Sequence, residues 1–209
     1  MRDPKIIADL ERQLENAART IPHVVQSEDQ QAFQIGVSFH LAAMRCGEVR
    51  VIDGTSVMAT SPMIVNYAFA IELYLKSLLI ASNGARRGHN LEELFRRLRD
   101  ADREEIERRY EALGGRTPTQ LAGDLASYAR AFEEWRYIFE TKRRIAIAAY
   151  SLYDLARACF FVIGERNPSW GSKATRGIIS QAPDDESIAF ISLGGGAMLR
   201  ARPPKKGGA

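Results

Sequence analysis

Apolar residues recur at helical spacing along most of the chain. Ile7, Leu10, Leu14, Ala17 and Ile21 form one such face, and Phe33, Val37, His40 and Met44 form a second. A longer seam of Leu121, Leu125, Tyr128, Phe132, Trp135 and Phe139 predicts a single helix over residues 118–141. Residues 145–163, IAIAAYSLYDLARACFFVI, are apolar nearly all round, which places that helix centrally. Residues 61–82 are similarly apolar but carry Glu72 and Lys76 near their middle. Residues 90–113 are charged and amphipathic and predict one or two surface helices.

The punctuation agrees with this period. Asp3-Pro4, Ser61-Pro62 and Thr117-Pro118 each place a capping oxygen before a proline, whose missing N–H costs nothing at the first helical position. Ser27 with Gln30, Asn90 with Glu93 and Asp102 with Glu105 have the spacing of a capping box or its Asn/Asp analogue. Gly47, Gly84, Gly114-Gly115 and Gly164 are the predicted stops, because glycine accepts the left-handed turn after a helix. Two segments break the helical pattern. EVRVIDGTSVMA alternates around Asp53-Gly54 and predicts a hairpin. SIAFISL, GGG and AMLRA have the spacing of a small β ribbon, and the closing RPPKKGGA is expected to be disordered. The expected fold is all-α, an antiparallel bundle of four to five long helices over residues 1–164. A short Gly/Pro-rich C-terminal extension over residues 165–209, partly β or disordered, is expected to follow.

Composition narrows the function classes. An apolar fraction of 45% and a charged fraction of 26% suit a globular chain rather than a disordered one. A net charge of +3 supplies no strong field for nucleic acid by itself. Cys46 and Cys159 lack CxxC spacing and a nearby histidine, so reduced, packed thiols in a cytoplasmic protein are expected. The first residues mix charge with apolar side chains and contain no signal-peptide h-region. Residues 61–82 would be long enough for a membrane span, roughly 20 residues. Glu72 and Lys76 would each cost on the order of 3 kcal/mol in lipid, so a buried helix and no membrane partner are expected.

The candidate chemistry sits on that helix and after it. Glu72 and Lys76 stand at i, i+4 in the orientation that favours an ion pair. If the stripe is buried, Glu72 needs a cation; Lys76 is the local one and Arg136 a long-range one, with Glu140 one turn beyond Arg136. If it is solvated, the pair is a surface feature. Arg86, Arg87 and His89 lie in the turn after Gly84 and together can form an anion-facing edge. The alternative is solvated arginines and a histidine packed at the start of the next helix. His40 reads as a core histidine with its hydrogen bonds satisfied, and His23 has no evident partner. No metal-ligand spacing, phosphate loop or nucleophile arrangement occurs, so no metal or cofactor is expected.

Ala70, Glu72 and Lys76 as A-x-E-x-x-x-K, GHNL at 88–91 and WRYIFE at 135–140 together resemble the HEPN-domain family. The resemblance covers roughly residues 60–163. It implies a helical bundle, homodimerisation and, in many prokaryotic members, metal-independent ribonuclease activity in toxin–antitoxin or phage-defence systems. Those nucleases carry an Arg-x4–6-His pair on one helix. Here Arg19 and His23 stand too close, and Arg136 is followed by Glu140 with no histidine beyond. The resemblance therefore implies a noncatalytic domain that homodimerises and binds a nucleotide, RNA or a protein partner, such as a nucleotidyltransferase or an antitoxin. The expected anion-binding residues are Arg86, Arg87, His89 and Arg136, and the expected structural ion pairs involve Glu72, Lys76, Arg136 and Glu140. One alternative is a ribonuclease using His89 as base with the arginines as phosphate clamps. Another is a pure protein-interaction module that offers the SIAFISL ribbon to a partner sheet.

Overall fold

The computed structural model describes residues 26–53, 55–84, 86–129, 149–171, 188–193 and 196–201, with Asp9, Arg12, Gln13, Asn16 and Ile178 as isolated positions. The described part is all-α in character, with two small β ribbons. Helix α1 spans Glu28–Cys46, α2 Thr60–Ala81, α3 Leu91–Arg96, α4 Asp100–Gly114, α5 Pro118–Tyr128 and α6 Ala149–Arg166. The helix predicted over 118–141 ends at Tyr128, with Ala129 as its C-cap, and the face Ile7 to Ile21, the seam beyond Ala129, Arg136 and Glu140 lie outside the described residues.

The core is the seam where α1, α2 and α6 meet. Phe33 and Val37 on α1, Ile64, Ile71, Tyr74 and Leu75 on α2, and Leu152, Leu155 and Cys159 on α6 are all fully buried. The pairings give the directions. Ser77 Oγ donates to the Asp29 carbonyl near one end of α1–α2, and Ala59 N–H donates to the Cys46 carbonyl at the other. α1 and α2 are therefore antiparallel. Phe33 stacks on Phe160 while His40 meets Tyr153, so α6 also runs opposite to α1. Along α4 and α6, Asp102 bonds Arg166 and Gly114 faces Asp154, which makes that pair antiparallel as well.

Gly36 sets the spacing of α1 and α2. A methyl group there would stand 2.8 and 2.9 Å from two ring carbons of Tyr74, a fully buried side chain with no room to swing away. Gly36→Ala is expected to destabilise the protein by about 2 kcal/mol, because overpacking outweighs the ~1 kcal/mol gained in helix propensity. Urea unfolding checks this, and a midpoint that stays or rises would show that the ring yields.

Some local signals act as read and others do not. Thr117 and Gln120 form the full capping box with Pro118 in the first turn, and Asn90 accepts from Glu93 N–H at 3.0 Å. Ser27 occupies the N-cap position of α1 without a side-chain bond to it. α2 begins at Thr60, capped by Ala59, one residue before Ser61-Pro62. Asp102 caps nothing: α4 starts at Asp100, and the buried Asp102 carboxylate instead receives Arg99 and Arg166. Burial works against its charge, but those hydrogen bonds prevail and hold its pKa below the usual carboxylate value. Gly115 takes the predicted left-handed turn (φ 64°), whereas Asn83 rather than Gly84 does so after α2 (φ 54°). Gly164 stops nothing, since α6 continues through it to Arg166. The hairpin forms as β1 (Arg50–Ile52) and β2 (Thr55–Val57), with Asp53 at φ 50° in its turn. The second ribbon pairs β3 (Ile188–Leu193) with β4 (Gly196–Ala201), in the register Ile188↔Ala201 to Leu193↔Gly196. Of the described helices, α2 is long and apolar enough to cross a membrane, and 67% of that stretch is buried inside the bundle.

Candidate functional site

Glu72 sits on the buried side of α2, and one of its oxygens, Oε1, gathers two partners. Lys76 Nζ donates to it at 2.8 Å, and His89 Nδ1 lies 2.9 Å away. The exposures grade outward: the carboxylate side chain is 5% exposed, the lysine 19% and the imidazole 64%. A carboxylate accepts only, so Nδ1 carries the proton of this bond and Nε2 is the nitrogen that faces away from it. The ring is thus held from below and offered to solvent. The turn that delivers it requires Gly88, whose φ of 98° a side chain rarely adopts, and the Asn90 cap of α3.

The neighbouring cations differ from one another. Arg86 pairs with Glu28 at 2.7 Å, both exposed, an arrangement worth little in water. Arg87 is exposed, and its carbonyl accepts from Arg97 Nη1 at 2.7 Å, so Arg97 braces the turn from the end of α3. Arg97 also reaches Glu93 at 3.0 Å. The structure thus brings Glu72, Lys76, Arg86, Arg87 and His89 to one edge; Arg136 and Glu140 lie outside the described residues. Two participants carried no sequence signal of this role: the join between His89 and Glu72, and the brace from Arg97.

A second polar group lies in the core. His40 is fully buried, and its Nδ1 is 3.2 Å from Tyr74 Oη. Its Nε2 has no partner, so the expectation of a satisfied core histidine holds for one nitrogen only. Tyr153 Oη and Arg157 Nε, both on α6, are buried without a well-formed hydrogen bond, and the two side chains lie against each other. The Tyr153 ring stands perpendicular to His40 at 6.5 Å, and the Arg157 guanidinium lies 5.3 Å from the centre of Tyr153 and 5.6 Å from that of Phe161. Burial, helped by the Arg157 charge, pushes the His40 pKa down to about 3. Burial raises Tyr67 and Tyr74 well above the usual phenol value, and lifts Asp154 to about 6 and Cys159 to about 12. Among the described residues no group of His, Cys, Asp and Glu could hold a metal ion, and both cysteines are free thiols.

Comparison with known proteins adds one finding. No curated protein and no solved structure matches the chain. Residues 61–144 match the family model of the HEPN domain, a stretch that begins at the first turn of α2 and takes in the Glu72–Lys76–His89 group. Over residues 61–144 this chain is thus similar to the HEPN-domain family, and the described part of that stretch belongs to an all-helical bundle.

Proposed function

We propose that this HEPN domain is a noncatalytic binding module that homodimerises and holds a phosphate-bearing partner, a nucleotide or RNA, along the edge formed by Arg86, Arg87, His89 and Arg97. One observation carries this reading: a buried carboxylate fixes His89 upright between exposed guanidinium groups in a single glycine-dependent turn. Arginine supplies a planar fork for phosphate oxygens, and the imidazole beside it supplies a further hydrogen bond. The absence of an Arg-x4–6-His pair in the sequence supports a binding role over a nuclease role. Arg86→Ala/Arg87→Ala tests the site without touching the core. Anisotropy with a fluorescent single-stranded RNA, and competition by nucleotides, are expected to show about tenfold weaker binding or more. The slope of log affinity against log salt should shrink by roughly 1.4, the value for two lost phosphate contacts on a single strand. Equal affinity and slope in the double variant would remove the edge as the site. Sedimentation of the native chain checks the dimer.

The Glu72–His89 bond gives a second reading its own support. A carboxylate-oriented imidazole is the arrangement of a general base, and RNA cleavage without metal needs a base for the 2′-hydroxyl, cations for the phosphate and a proton for the leaving 5′-oxygen, which the imidazolium or water can return. Incubation with transfer RNA and a chelator separates the readings. Cleavage that disappears in His89→Ala would replace the noncatalytic reading.

A further inference from the structure

Of the large apolar side chains exposed among the described residues, all but Ile35 lie in the 49–57 hairpin: Val49, Val51, Ile52 and Val57, with Val51 71% exposed. Every residue of β1 and β2 faces solvent, and the Ala59–Cys46 bond ties the hairpin to the bundle at its base. A lone two-stranded ribbon is marginal in water, and apolar side chains on both of its faces mark a contact surface. The register shows which backbone groups are open to pairing. Ile52↔Thr55 and Arg50↔Val57 stand next to and beyond a two-residue turn, so they are the hydrogen-bonded pairs. The N–H and C=O of Val51 and of Ser56 therefore point outward, one residue on each edge. The two edges differ in charge. β1 contains Arg50 and lies between Glu48 and Asp53, whereas no charge occurs from Gly54 to Ile71. Edge strands are ordinarily blunted by charge or proline, and β2 has neither. A twofold axis sets each residue near its own copy. Through Val51 it would bring the two Arg50 side chains into a diagonal contact on one face, roughly 7–8 Å apart. Through Ser56 it sets Thr55 opposite the partner's Val57, with no charge on either side. A charged peptide gains nothing from this neutral edge, while a second copy meets no like charge there.

We infer that β2 is the seam of the homodimer: the Ser56 residues of two copies pair antiparallel across a twofold axis and join the hairpins into one four-stranded sheet. Ile52, Thr55 and Val57 of both copies then line one face of that sheet. The inference rests on the homodimer of the proposed function and adds the place where it is held. Sedimentation equilibrium of the full chain tests it. Ser56→Pro removes the outward N–H and leaves the hydrogen-bonded pairs of the hairpin intact, so the dissociation constant should rise about tenfold or more. Val51→Pro does the same to the other edge and should leave the dimer unchanged. Val57→Lys sets like charges across the axis and should weaken the dimer in a way that added salt partly restores. Cross-linking gives a readout that needs no weakened variant. Cα atoms of a hydrogen-bonded antiparallel pair stand about 5.5 Å apart, within disulfide reach. Mild oxidation should therefore convert the Ser56→Cys variant to a covalent dimer, well beyond the level reached by the native chain or by Val51→Cys. A native chain that sediments as a monomer would overturn this inference together with the dimer of the proposed function. A dimer undisturbed by Ser56→Pro, or a Ser56→Cys variant that cross-links no faster than Val51→Cys, would overturn this inference alone.

Discussion

Glu72→Ala is expected to cost about 3 kcal/mol of stability, the range found when one member of a buried ion pair is removed. For a domain of this size that corresponds to a melting temperature lower by about 10 °C. The magnitude rests on burial: the carboxylate is 5% exposed and serves two donors through one oxygen. Its loss leaves the Lys76 ammonium, 19% exposed, without its only ion-pair partner among the described residues. It also cuts the tie that holds His89, so amide exchange over residues 84–90 should speed up more than the global loss predicts. Two further variants separate charge from packing. Glu72→Gln keeps an acceptor and should cost less than alanine. Glu72→Leu with Lys76→Met removes both charges and should recover most of the loss, because an apolar pair avoids the desolvation penalty. A melting temperature unchanged in Glu72→Ala would show that solvent already screens the pair.

The second large effect is a pH dependence hidden by compensation. His40 titrates near 6.5 when unfolded and near 3 in the bundle. Between those values the unfolded chain takes up a proton that the folded chain refuses, so stability falls as pH falls, by about 1.4 kcal/mol per unit. Asp154 has the opposite sign. Its carboxyl is raised from 3.8 to about 6, so the folded chain keeps a proton that the unfolded one has lost, and stability grows as pH falls through that window. The two slopes oppose each other between about pH 6 and pH 4. Asp154→Asn should therefore expose the full acid sensitivity of His40, while His40→Leu should leave the Asp154 contribution unopposed, so that its stability relative to the native protein grows as pH falls from 6 to 4. Urea unfolding at stepped pH, in buffer free of phosphate, reads both. Comparing variants with the native chain cancels Asp102 and Glu105, whose lowered values add their own acid loss. Parallel curves for the native protein and Asp154→Asn would mean that Asp154 is solvated and contributes no compensation.

What could be read from the residues alone was what is short-range. Thr117 and Asn90 cap because the N–H groups they satisfy lie three residues away. Glu72 and Lys76 meet because i, i+4 is a neighbour relation on any helix. Asp102 had the same local credentials as Asn90, yet a cation on α6 claims it, and no local spacing announces Arg166. Gly164 looked like a stop, but nothing there requires a left-handed turn and a side chain would meet open space. The site shows the same divide. Arg86, Arg87 and His89 were recognisable as a cluster, whereas the descent of His89 onto Glu72 depends on the backbone at Gly88. The group around His40 was invisible because its other members, Tyr153 and Arg157, come from the far end of the chain.

The close approach of α1 and α2 at Gly36 also bears on how the chain reaches its fold. The two helices are sequence neighbours, tied at their base by Ala59 and Cys46, so bringing them together closes only a short loop. α6 must be recruited across a much longer span. The α1–α2 hairpin is thus the natural nucleus: defects in its seam should slow folding, whereas defects on the α6 face should chiefly hasten unfolding.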